Sequence, residues 1–296
     1  MGYLFLGISL LAGATKGYCG KKTSGYVEST SGAMMANLIR MILCIFIGLA
    51  LIIVQNDQKM LIPNRTLLLI SAVSGIETSV FVVSWLLSVR KGAYMMMDVF
   101  LMLGVIVPVC GGNIAFGENI RITQWIGIAV LVVAAFIMCS YNNSIKEKMT
   151  LSGFLLLLLC GAANGITDFM QKLFVKQLPQ TSASIFNFYT YVFSAIFLLI
   201  CFLYCRRNEK NAEDAKQIKK IAGYISIMSI CLFANSLFKT RAAAYLDSVQ
   251  LYPLSQGLAL TISTMMSAVF FHEKLTIKCI IGVVIAFAGL IIINVL

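Results

Sequence analysis

The chain consists largely of uninterrupted apolar stretches of about twenty residues, the length that an α-helix needs to cross a bilayer. Ten such stretches cover most of the sequence: 2–21, 32–54, 66–88, 93–115, 122–140, 151–173, 182–205, 220–241, 248–270 and 275–296. Because a backbone in lipid must satisfy its own hydrogen bonds, their length and apolarity predict helices rather than a barrel. With 59% hydrophobic and 12% charged residues, the sequence predicts an all-α integral membrane protein.

Two blocks of sequence recur within the chain. Moving residues 2–47 by 151 positions aligns Lys21 with Lys172. Farther on, a shift of 155 positions aligns Glu118 with Glu273. An internal duplication of membrane helices is typical of transporters.

The number of stretches in each half predicts how the two halves are oriented. Five fall in each half, and an odd number forces the second half to cross the membrane in the opposite sense. We therefore predict ten transmembrane helices as two inverted five-helix repeats, residues 1–141 and 150–296. Such repeats enclose a site near the membrane midplane and can rock between two access states.

The net charge of +11 does not indicate a nucleic-acid partner. Lys and Arg concentrate between the apolar stretches, where they contact lipid headgroups and set orientation. The longest polar segment, 205–220, is basic without interleaved aromatic residues, and we interpret it as a solvated connector. Nine cysteines form no Cys-x-x-Cys pair and the chain has one histidine, so we expect neither a metal site nor a cofactor.

Two short segments carry a resemblance to a known family. Residues 114–119, followed by Trp125-Ile126-Gly127, and residues 270–275, followed by Ile281-Gly282, resemble the Gly-Glu-Arg hallmark of EamA-type members of the drug/metabolite transporter superfamily. Asn119 stands where that hallmark has Arg or Lys, and His272 replaces its Gly. The resemblance covers the whole chain and implies a ten-helix transporter of two inverted repeats.

Polar residues within the apolar stretches are the candidate site residues, because a charged group at a helix centre costs about 2.5–3.5 kcal/mol on insertion scales. We interpret Glu118 and Glu273 as helix-capping groups and leave them out of the site. Arg40 is similarly deep but lies among methionines, and we leave it out too. The predicted substrate-binding residues are Lys16, Glu77, Ser84, Asp98, Asn164, Asp168, Asn235, Lys239, Gln250 and Gln256.

Two acids among these residues are candidates for proton coupling. Glu77 lies midway along the third stretch and shares a helical face with Ser84, while Asp168 is spaced to pair with Lys172 one turn later. A buried carboxyl group binds a proton more readily, so proton and substrate can compete for it. The alternative is that these polar residues only fasten neighbouring helices together.

We predict a secondary active transporter that exports a small polar or amphipathic metabolite by alternating access. Its cavity is expected between the first, third, fourth, sixth, eighth and ninth stretches, and the interior lysines favour a carboxylate or phosphate on the substrate. A multidrug or lipophilic-cation exporter is an alternative, although such relatives carry an acid in the first span, where this chain has Lys16. A membrane-embedded enzyme acting on lipid-linked substrates and a non-transporting receptor are further alternatives.

The expected partners are a small-molecule substrate and the lipid bilayer, with the protein a monomer or homodimer in the plasma membrane of a bacterium. Two arguments about orientation disagree. The resemblance implies a cytoplasmic N-terminus, which places the basic connector 205–220 outside. Because cytoplasmic loops are normally rich in Lys and Arg, the charges favour the reverse.

Overall fold

The structure, a computed structural model, describes residues 1–27, 29–90, 94–140, 151–206, 213–271 and 277–295. Twelve α-helices contain most of these residues, and none of the described residues lies in a strand. In chain order the helices are α1 (Gly2–Thr23), α2 (Thr30–Val54), α3 (Arg65–Arg90), α4 (Tyr94–Gly104), α5 (Ile106–Phe116), α6 (Ile122–Ser140), α7 (Leu151–Gln177), α8 (Ala183–Arg206), α9 (Glu213–Lys220), α10 (Ala222–Ala243), α11 (Ser248–Phe271) and α12 (Ile277–Val295).

The apolar helices agree with an integral membrane protein. Six segments are long and apolar enough to cross a membrane: Thr30–Val54, Arg65–Ser88, Gly153–Gln177, Ala183–Cys205, Ala222–Ala243 and Ser248–Phe271. Shorter apolar helical segments cover Phe100–Phe116, Ile122–Ala134 and Ile280–Asn294. Helix α1 has 22 residues but carries Lys16, Lys21 and Lys22, and it is not among the six.

Two predicted elements differ from the structure. The fourth apolar stretch forms two helices, α4 and α5, which meet at Val105, and Pro108 lies in the first turn of α5. Proline is tolerated there because the first turn leaves its N–H groups without an intrahelical partner. Within the connector 205–220, the short helix α9 places Ile218 in an apolar cluster with Val27, so this part of the connector is not fully solvated.

Close helix packing depends on small residues. A Cβ atom on Gly161 of α7 would lie 2.2 Å from the carbonyl oxygen of Phe100 on α4, and one on Gly127 of α6 would lie 2.9 Å from that of Gly289 on α12. Such approaches are typical of membrane helices, where small residues let backbones come together. They hold α4 against α7 and α6 against α12.

Helices α1 and α10 run antiparallel and in contact. Ser9 of α1 contacts Asn235 of α10. Farther along α1, Thr23 contacts Met228, which comes before Asn235 on α10, so the two helices run in opposite directions. At the other end, a Cβ on Gly2 would touch Leu246. This pairing determines the relative heights of the polar residues on the two helices.

Candidate functional site

A cavity of about 110 Å³ lies inside the helix bundle. Its walls come from α1, α3, α4, α7, α10 and α11, the helices of the six stretches expected to line a cavity. The structure brings five of the predicted site residues to these walls: Lys16, Asn164, Asn235, Lys239 and Gln256. Apolar lining includes Phe81 and Trp85, so the cavity combines polar groups with aromatic surface.

A buried ion pair joins α7 and α10 at the cavity. The Lys239 ammonium lies 2.7 and 2.8 Å from the two carboxylate oxygens of Asp168. Asp168 is only 2% exposed and Lys239 6%, so water screens their attraction little. The Asn164 amide reaches one Asp168 oxygen at 3.5 Å, and the Gln256 side chain also interacts with this carboxylate.

The predicted pairing of Asp168 with Lys172 is wrong. Lys172 lies 3.1 Å from Glu118 and donates hydrogen bonds to the carbonyl oxygens of Ala243 and Leu246 at the end of α10. The other Glu118 oxygen accepts a hydrogen bond from the backbone N–H of Ser248 at the start of α11. Glu118 thus caps α11 rather than the helix that follows it in sequence, α6. It is also an ion-pair partner that sequence spacing did not indicate, because Glu118 and Lys172 are more than fifty residues apart.

Asn235 fastens α10 to α1 as well as facing the cavity. Its amide nitrogen donates to the backbone oxygen of Ser9 at 2.8 Å and to the Ser9 hydroxyl at 3.0 Å, while that hydroxyl donates to the backbone carbonyl of Asn235. The nitrogen is therefore committed to helix packing. The side-chain oxygen of Asn235 is the part that can accept a hydrogen bond from a solute.

Lys16 borders the cavity from α1. Its ammonium group lies 5.6 Å from the centroid of the Phe81 ring, within cation–π range. It interacts electrostatically with Arg40, Lys239 and Asp168. Within the described residues no carboxylate forms an ion pair with Lys16, because Asp168 is engaged by Lys239.

The other five predicted site residues are not among the described residues that line this cavity. Asp168 lies behind the wall, where it contacts the lining residues Lys239 and Asn164. Glu77 lies half-buried on α3, and the Ser84 hydroxyl donates within its own helix to Val80 and Phe81 carbonyls. Gln250 lines a separate polar pocket of about 210 Å³ with Arg121 and Asp247. Asp98 belongs to α4, but its side chain lies outside the described part of the chain.

Arg40 is a buried charge that sequence reasoning set aside. It is 3% exposed, and its guanidinium donates to the Asn37 side-chain oxygen at 2.6 Å. Its Nε is buried without a hydrogen-bond partner. Its depth within the second apolar stretch was a usable signal, because an intramembrane charge is rarely retained without a partner or a function.

The described residues contain no group of three or more His, Cys, Asp or Glu side chains that could hold a metal ion. The second copy of the hallmark, at 272–275, and the boundary between the predicted repeats, at 141–150, lie outside the described residues.

Comparisons with known proteins indicate the family. Residues 151–295 match the EamA-like transporter family. A solved crystal structure superposes with a TM-score of 0.69 at 12% identity, covering 99% of this chain and 96% of its own, which shows a shared fold. No curated protein matches the sequence. The family match over the second half of the chain, together with a fold shared along its whole length, is consistent with the drug/metabolite transporter superfamily.

Proposed function

We propose that this protein is a secondary active transporter that exports a small polar or amphipathic metabolite by alternating access through the central cavity. The observation that carries the proposal is the cavity itself, which lies between helices of both halves and has the buried Asp168–Lys239 pair at its wall. Retained intramembrane charges of this kind mark substrate and ion pathways.

The ten-span arrangement of two inverted repeats is part of this proposal. If α1 corresponds to α7, α2 to α8, α3 to α10 and α6 to α12, the contact of α1 with α10 corresponds to that of α7 with α3. Exchanging the two halves turns the α2–α8 contact into the same contact, and likewise the α6–α12 contact. A pairing pattern that is unchanged when the halves exchange supports a pseudo-two-fold axis through the cavity.

The size of the cavity favours a small solute over bulky drugs. Pockets for drug-sized ligands enclose about 300–1,000 Å³, whereas this cavity encloses about 110 Å³. Its two lysines and one engaged acid also disfavour a lipophilic cation. We therefore do not extend the proposal to a multidrug exporter.

Asp168 is our first candidate for the proton-coupling acid. Protonation would neutralise its carboxylate and release Lys239 from the bidentate contact. This would change the charge at the cavity at the moment when substrate binds or leaves. Glu77 is the second candidate. It is half-buried on α3 and does not line the cavity, so its protonation would change the charge at the cavity less directly.

Transport into sealed vesicles tests the proposal. Purified protein in liposomes is given an imposed proton gradient and screened with amino acids, nucleosides, sugar phosphates and cationic drugs. We expect the proton gradient to drive accumulation of a small polar solute. Asp168→Asn should remove this dependence on the gradient. The control Asp57→Asn, which changes an acid in the α2–α3 connection, should keep it. If Glu77→Gln alone removes the dependence, Asp168 is the wrong acid. If no solute moves in any member of the screen, the transport proposal fails.

A further inference from the structure

The charges around the cavity do not balance. Lys16 and Lys239 line it, Asp168 is the ion-pair partner of Lys239, and Arg40 interacts electrostatically with Lys16. Asp168 and Lys239 neutralise each other through two short contacts. Lys16 and Arg40 remain, and within the described residues neither forms an ion pair with a carboxylate.

Arg40 strengthens the positive field at Lys16. It is the charged group that interacts most strongly with Lys16. Its own neighbours are the neutral Asn37, Cys44 and Tyr191. Since a guanidinium cannot lose its proton in a protein, this charge persists whatever the state of its surroundings. A buried cation without an ion-pair partner beside a half-buried second cation is costly unless an anion joins them.

Lys16 and Lys239 lie at different levels of the cavity. On antiparallel α1 and α10, a Cβ atom on Gly13 would meet the Asn235 side chain and one on Gly20 would meet Met228. Lys16 follows Gly13 by three residues and Lys239 follows Asn235 by four in the opposite direction, so at about 1.5 Å per residue their backbones are separated by about 10 Å along the helix axes. Asp168 is held by Lys239 through two short contacts, and the direct partner of Lys16 is therefore not this carboxylate.

We infer that Lys16 binds an oxyanion group, a carboxylate or a phosphate, on a small solute, within a positive field to which Arg40 contributes. The remainder of the solute lies toward the side-chain oxygen of Asn235 and the Gln256 amide, which offer hydrogen bonds, and against the Phe81 ring. Lys16 is the contacting residue, while Arg40, which is not among the lining residues, adds to the positive potential at Lys16. This inference rests on the proposed function, because it names the substrate class of that same cavity.

The test measures anion-dependent thermal stability of the full-length purified protein, which needs no transport. Acetate, succinate, inorganic phosphate and glycerol 3-phosphate are titrated as probes, with glycerol and ethylamine as uncharged and cationic comparators. We expect the oxyanions to raise the Tm of the wild-type protein. Comparing the carboxylates with the phosphates then identifies the group that Lys16 prefers. Lys16→Gln should weaken the apparent affinity about tenfold or more, because it removes a charge-assisted contact.

Two further variants separate binding from folding. Lys16→Arg keeps the charge and should retain most of the response, whereas Lys220→Gln removes an exposed lysine and should match the wild-type protein, which also controls for general salt effects. Arg40→Met should weaken the oxyanion response without abolishing it. The inference is overturned if only glycerol or ethylamine stabilises the protein, if no probe does, or if Lys16→Gln responds like Lys220→Gln. Oxyanion binding at Lys16 without transport in vesicles would overturn the proposed function alone.

Discussion

At the scale of single residues, the Asp168–Lys239 pair is expected to stabilise the fold only as a pair. Removing one partner from a buried ion pair leaves an uncompensated charge and costs about 3–5 kcal/mol, whereas replacing both can be nearly neutral. We predict that Asp168→Leu and Lys239→Met each lower the Tm in detergent and that the double variant recovers most of the loss. Thermal unfolding of the four proteins gives the coupling free energy. Additive losses would show that the 2.7 Å contact contributes little.

Sequence reasoning found polar residues but not their partners. Lys16, Asn164 and Lys239 stand out because a bilayer penalises them, and the structure places all three at one cavity. The partner of Asp168 lies 71 residues away on α10, and helical spacing within α7 cannot reveal such a contact. Glu77 has the same sequence signal as Asp168, yet only the packing of α3 determines that it does not line the cavity.

At the scale of helices, we predict that the contact between α4 and α7 tolerates no side chain at Gly161. A Cβ there would lie 2.2 Å from the Phe100 carbonyl oxygen, and backbone cannot yield as a flexible side chain can. Gly161→Ala should therefore destabilise the protein by about 1–3 kcal/mol through overpacking. Gly7→Ala is the matched control, since a Cβ on Gly7 of α1 meets nothing within 4 Å. Equal melting temperatures for the two variants would mean that α4 and α7 can separate without cost.

The helices were predicted more completely than their interruptions. Apolar length alone indicated all ten stretches, and each contains helix in the structure. The break at Val105 was not predicted, because the fourth stretch stays apolar across it and Pro108 only fits near a helix start. Helix α9 was also missed, since its eight residues are mostly charged and its burial depends on Ile218 meeting a distant part of the chain.

At the scale of the whole molecule, one end of the bundle collects the α2–α3, α5–α6, α7–α8 and α10–α11 connections. The Tyr189 hydroxyl donates to the Leu61 carbonyl there, and Glu118 meets Ser248. The opposite end brings Lys21 of α1 to the ring of Phe271 of α11, at 4.2 Å. Opposite ends of a bundle that spans the bilayer face opposite compartments.

This polarity predicts the outcome of labelling with a membrane-impermeant maleimide. In a cysteine-depleted background, single cysteines at the exposed positions Gln58, Asn119 and Lys219 are labelled in intact cells. If α3 and the α4–α5 pair both cross the bilayer, Gln58→Cys and Asn119→Cys react from the same side and Lys219→Cys from the other. If only the six long segments cross, Asn119→Cys instead reacts together with Lys219→Cys. If ten segments cross, the N-terminus and Lys219 lie on opposite sides, and the compartment in which Lys219→Cys reacts then decides between a cytoplasmic N-terminus and the orientation favoured by the basic connector. If only the six long segments cross, α1 does not cross and the N-terminus lies on the same side as Lys219.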